Sequence, residues 1–94
     1  MAETSTGKPY KDTPLDDDRF IRKFYHATED EELIWHRDRK NRIVKVLEGE
    51  GWFLQFEDKL PEEMKRNEEY KIIAETYHRI IKGKGNLILE IREE

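Results

Sequence analysis

Three histidines and no cysteine set the limits of metal and nucleophile chemistry in this chain. His36 and Asp38 stand two apart in the run Glu32 to Asp38, which is rich in branched and aromatic residues and reads as a strand. Side chains two apart on a strand share a face. His78 lies in a second strand-like run, Tyr77 to Lys82. If those faces line the inside of one barrel, two imidazoles and a carboxylate meet there. That is the facial donor set that holds Fe(II) and leaves positions open for water or substrate; the same donors suit Zn(II) or Mn(II). The plainer alternative is a histidine that hydrogen-bonds Asp38 and fills space. Arg42 bears on the choice, because its cation would repel a metal or neutralise Asp38 by pairing with it.

The elements that must position these groups are short and β-rich. Arg42 to Glu48 and Trp52 to Phe56 are expected as two strands of a hairpin turning at Gly49-Glu50-Gly51, with Trp52, Leu54 and Phe56 on one face. Phe20 to His26 suits a first strand or a short helical turn. Leu60 to Arg66 suits a helix start, a loop or a short edge strand. Tyr70 to Ile73 is strand-like, and Leu87 to Ile91 closes the chain with Leu87, Leu89 and Ile91 inward. Six or seven short strands at this spacing predict a β-sandwich or barrel.

Composition agrees with one small domain of 94 residues. Charged residues are 43% and hydrophobic ones 35%, yet the large apolar residues are clustered, as a folded core needs. Residues 1–18, with the acidic run Asp16-Asp17-Asp18, are expected as a flexible acidic N-terminal arm, and residues 19–94 as the folded domain. The net charge is −4, and the cations alternate with acids instead of forming a block. Nucleic acid is therefore not an expected partner. No apolar run nears the ~18 residues of a membrane span. The lack of cysteine suits a reducing compartment, so a soluble, cytoplasmic protein is expected.

Two segments carry a resemblance. His36-Arg37-Asp38 followed by Val44-Lys45-Val46-Leu47-Glu48-Gly49-Glu50-Gly51 resembles the first cupin motif, and Ile73-Ala74-Glu75-Thr76-Tyr77-His78 resembles the second. The resemblance implies an all-β, cupin-like double-stranded β-helix, a small jelly-roll barrel. It also implies one divalent metal (Fe, Mn or Zn) held by His36, Asp38 and His78, and a homodimer. The chain further resembles small cupin-like proteins encoded by tailed bacteriophages. It departs from the family pattern in Asp38 where a second histidine is usual, in Arg42 where a glutamate is usual, and in Ile73 and Glu75 where proline and glycine are usual.

Whether the chain is an enzyme is left open at this level. Arg42, Trp52 and Tyr70 are the expected contacts for a small polar or anionic ligand, with Arg37, Arg39 and Lys40 near the mouth. Metal-free acid–base chemistry would need His36 or His78 as base, Asp38 as orienter and Tyr70 or Tyr77 as acid; Tyr77 points away from His78 on a strand. A non-catalytic interaction module is the rival, with Trp35 on the outer face or the arm as its contact surface. His26 has no partner at ligand spacing and is expected at the surface.

Overall fold

The computed structural model describes residues 10–25 and 33–94. Among the described residues, eight antiparallel strands run β1 (Tyr10–Pro14), β2 (Arg19–Phe24), β3 (Arg42–Glu50), β4 (Phe53–Phe56), β5 (Glu62–Glu63), β6 (Glu69–Ile72), β7 (His78–Ile81) and β8 (Lys84–Glu93). They form a five-stranded sheet in the order β1-β2-β8-β3-β6, facing a three-stranded sheet in the order β5-β4-β7. No helix long and apolar enough to cross a membrane occurs among the described residues.

Period-two alternation decides what lies between the sheets. Val44 and Val46 of β3, Leu87, Leu89 and Ile91 of β8, and Phe24 of β2 are buried from one side. Trp52, Leu54 and Ile80 meet them from the other. Burying each such side chain contributes roughly 1.5–3 kcal/mol, so this one layer carries most of the stability of a chain with so few apolar residues. His78 follows the same alternation as Ile80 and turns inward, which carries an imidazole to the edge of the core.

The expected hairpin does not form. Both edges of β3 are taken, by β6 and β8, while β4 pairs with β5 and β7 in the opposite sheet. The inner faces of the two segments therefore pack across the sandwich instead of side by side. Gly51, at φ 71°, is where the chain leaves one sheet for the other. The returning link from β7 to β8 passes against this corner. A Cβ on Gly83 would collide with the Glu50 carbonyl and with the backbone of Gly51 and Trp52.

The expected arm also changes. Tyr10 to Pro14, assigned by composition to the tail, is the edge strand β1. Arg22 explains why: it makes a two-pronged contact with Asp12 (2.8 and 2.9 Å) and lays its guanidinium 3.7 Å above the Tyr10 ring. Tyr10 in turn packs on Phe24 at 5.4 Å. Asp16 then fixes the β1–β2 turn by accepting from Arg19, whose guanidinium is the main reason its carboxyl is held down at about 2. Residues 1–9 of the expected arm, and His26, lie outside the described residues.

Leu60 to Arg66 resolves as the two-residue edge strand β5 and its flanks. The strand expected over Glu32 to Asp38 is reduced, within its described part, to one bridge at His36.

Gly83→Ala should cost about 3 kcal/mol or more, because backbone cannot move aside at the crossing. Gly85→Ala, at φ 64° but in open space, should cost only about 1–2 kcal/mol. Thermal melting of the two variants side by side checks the difference.

Candidate metal centre

The two motif segments are joined backbone to backbone. His36 and His78 exchange N–H···O bonds of 3.0 and 2.9 Å, Glu75 N–H donates to the Asp38 carbonyl (2.7 Å), and Ala74 N–H donates to Asn41 Oδ1 (2.7 Å). Glu75 sits at φ 64°, a left-handed conformation that glycine adopts without cost. The position resembling the motif glycine thus has a backbone shape that suits glycine, with a glutamate in it. That glutamate makes an exposed 3.3 Å ion pair with Arg37.

This lacing brings three side chains together. His36, Asp38 and His78 each present one donor atom within 4.8 Å of the others. His78 Nε2 is 3.4 Å from Asp38 Oδ2, His36 Nε2 is 4.0 Å from Asp38 Oδ1, and the two imidazole rings lie 4.3 Å apart. His78 is buried and Asp38 nearly so, whereas His36 is exposed and faces solvent. The cluster therefore has a closed floor and an open side.

Each ring is oriented by a carbonyl two residues back. His36 Nδ1 contacts Ile34 O at 3.0 Å, and His78 Nδ1 contacts Thr76 O at 2.8 Å. A carbonyl only accepts, so Nδ1 carries the hydrogen and Nε2 is the ring atom turned toward Asp38, with a lone pair to offer there when the ring is neutral. This is the outer-shell arrangement that orients metal-ligating histidines. Asp38 Oδ2 is, among the described residues, the buried side-chain polar atom without a hydrogen-bond partner. Three atoms of metal-ligand type thus converge, and such a gathering is stable around a shared proton or a cation.

Arg42 supplies some of that charge. Its Nη1 lies 3.3 Å from Asp38 Oδ2, without hydrogen-bond geometry, while Nε and Nη2 bind Glu93 Oε2 at 3.0 and 2.7 Å. Burial pushes the Asp38 carboxyl up, but His78, Arg42 and His36 together outweigh it and hold the group below the usual aspartate value.

Trp52 and Tyr70 are engaged elsewhere. Trp52 is wholly buried against Phe24, and its indole N–H donates to Lys84 O at 3.3 Å. Tyr70 donates its hydroxyl hydrogen to Glu63 O and accepts from Lys65 N–H, both at 2.9 Å, so it secures the β5–β6 connection. The inward faces expected to meet a ligand here meet the core and the backbone. Glu93 escaped the sequence reading, since only the β3–β8 register sets it opposite Arg42.

On the other side of the small sheet, Trp35, Leu60 and Tyr77 line an open groove of about 610 Å³ with Glu57, Asp58 and Lys59. Arg79 lies over the Trp35 ring at 4.9 Å, and none of the three cluster residues lines the groove.

Comparison with solved structures defines the class. A cupin-2 domain protein from Shewanella frigidimarina superimposes with a TM-score of 0.67 at 17% identity, over 90% of this chain and 79% of that one. A cupin domain from Bordetella pertussis matches at 0.63 and 12% identity over 99% of both chains. The Fe(II) form of HppE matches at 0.62 and 17% identity, over 81% of this chain but only 41% of its own length. No family model and no curated protein matches the sequence. The chain has the cupin fold, a small antiparallel jelly-roll barrel.

Because the folded-state pKa of Asp38 is depressed, its stabilising effect is complete above the ordinary carboxylate value of about 4 and is lost as pH falls through the lower folded value. Asp38→Asn should therefore remove part of the acid-side loss of stability. Melting temperatures of both proteins between about pH 2 and pH 5 measure it.

Proposed function

We propose that the protein is a metal-binding cupin in which His36, Asp38 and His78 hold one divalent first-row ion and present it to a small polar or anionic ligand. The observation that carries this reading is the buried Asp38 Oδ2, which has no hydrogen-bond partner among the described residues and sits beside two imidazoles whose Nε2 atoms are turned toward the carboxylate. Neutral imidazole nitrogens and a carboxylate suit Fe(II), Mn(II) or Zn(II), and the Fe(II) form of HppE shares the fold. The ion would supply Lewis acidity at the barrel mouth. The chain's own part is to fix the tautomers through Ile34 O and Thr76 O, to close the floor with His78 and to leave the His36 side open.

Elemental analysis of untagged protein tests this. Near-stoichiometric iron, manganese or zinc is expected in the wild type and none in the His36→Ala/His78→Ala variant. Metal in neither, even after anaerobic loading with Fe(II), rules the reading out. Where metal is present, affinity should fall on acidification, because a protonated imidazole offers no lone pair; metal titrations at two pH values measure it.

A second reading is favoured by the groove on the opposite side of the small sheet. Exposed Trp35, Leu60 and Tyr77, with charges of both signs beside them, suit an interaction surface on a cupin scaffold, with a second copy of the chain as partner. Trp35→Glu should then convert a dimer to a monomer in light scattering while leaving metal content unchanged. A wild type that is monomeric at high micromolar concentration would eliminate this second reading.

A further inference from the structure

The position of Arg42 is hard to reconcile with a passive structural role. On β3 it shares the inward face with Val44 and Val46, and its side chain is only 15% exposed. The Phe20 ring lies 5.7 Å from its guanidinium. Two carboxylates hold it: Asp38, a candidate metal ligand, through Nη1, and Glu93 through Nε and Nη2. Glu93 is the cross-strand partner of Arg42 on β8, so the pair is built into the sheet register.

We propose that Arg42 is a built-in competitor of the metal ion for Asp38, and that Glu93 sets how strongly it competes; the proposal rests on the metal-site reading above. A dication at the three donors and the guanidinium act on the same carboxylate, Asp38. In a partly buried site like charges are poorly screened, so part of the ion's binding energy is spent against Arg42. Glu93 opposes this by drawing two of the three guanidinium nitrogens to itself. With neutral imidazoles, Asp38, Arg42 and Glu93 leave one net negative charge for the dication to meet. Without the arginine there are two, which a dication balances; without Glu93 there are none. Removing Arg42 and removing Glu93 therefore push metal affinity in opposite directions. Arg42 is a positioning and tuning residue, outside the donor set.

Titration calorimetry with Zn²⁺ on apo-protein tests the idea, with circular dichroism melts to confirm that each variant is folded. Arg42→Gln should bind Zn²⁺ about tenfold more tightly than wild type or better. Glu93→Gln should bind about tenfold less tightly, and Arg42→Lys, which keeps the charge, should stay near wild type. The Arg42→Gln/Glu93→Gln double variant, with Asp38 alone leaving the same single negative charge as the wild type, should bind near the wild-type level. Opposite signs cannot arise from a shared loss of stability. If the wild type binds in a His36- and His78-dependent way but Arg42→Gln binds no more tightly, the competition is refuted while the site stands. If Arg42→Gln fails to fold, Glu93→Gln decides alone, weaker binding supporting the proposal and unchanged binding refuting it. If no variant binds Zn²⁺, or binding survives His36→Ala/His78→Ala, the site reading falls and takes the competition with it.

Discussion

The exchange of two backbone hydrogen bonds between His36 and His78 is the constraint on which the site depends. These residues are 42 positions apart in the chain, and neither histidine could orient the other through side-chain chemistry alone. The bridge sets the two backbones at strand spacing. Glu75 N–H and Ala74 N–H then tie the following loop to Asp38 and Asn41. Because these contacts are made by backbone groups and one asparagine, they specify where the imidazoles go without consuming any of their ring nitrogens. The rings remain available, each held by a carbonyl of its own segment.

Below the site, packing and chemistry divide along a single strand. On β7, His78 and Ile80 point the same way, one into the cluster and one into the core. The apolar layer therefore serves as the floor of the polar one. A buried carboxylate is tolerated at that boundary because cationic and imidazole groups surround it; desolvation alone would drive it toward the neutral acid. The heavily charged outer surface plays little part in this, since exposed pairs such as Arg37–Glu75 contribute little at ordinary salt.

What the sequence revealed depended on whether the determining contact was local. Alternation along Leu87, Leu89 and Ile91, or along Val44 and Val46, was legible because each strand carries its own period. The convergence of His36, Asp38 and His78 was legible from motif spacing, although the segment around His36 is a bridge and not a full strand. The Gly49 to Gly51 turn was visible as a turn but not as a change of sheet, because both arrangements need the same glycine and only the distant partners β6, β7 and β8 distinguish them. Tyr10 to Pro14 looked like tail because its attachment comes from Arg22 and Phe24 on another strand. Trp52 and Tyr70 share types with ligand-contacting aromatics; only their surroundings show that one fills the core and the other satisfies a loop.

The central place of β8 has a bearing on how the chain acquires this shape. β8 lies between β2 and β3 and pairs with both, Arg19 lying opposite Arg92 and Arg42 opposite Glu93. Neither half of the large sheet can find its neighbour until the chain through Glu93 has been made. Until then β2 and β3 each keep an open edge toward the missing strand, and the search that joins the halves must close long loops. Such topologies fold in milliseconds to seconds and not microseconds. The same strand that completes the sheet also delivers Glu93 to Arg42, so the electrostatics of the cluster are settled only when the barrel itself is.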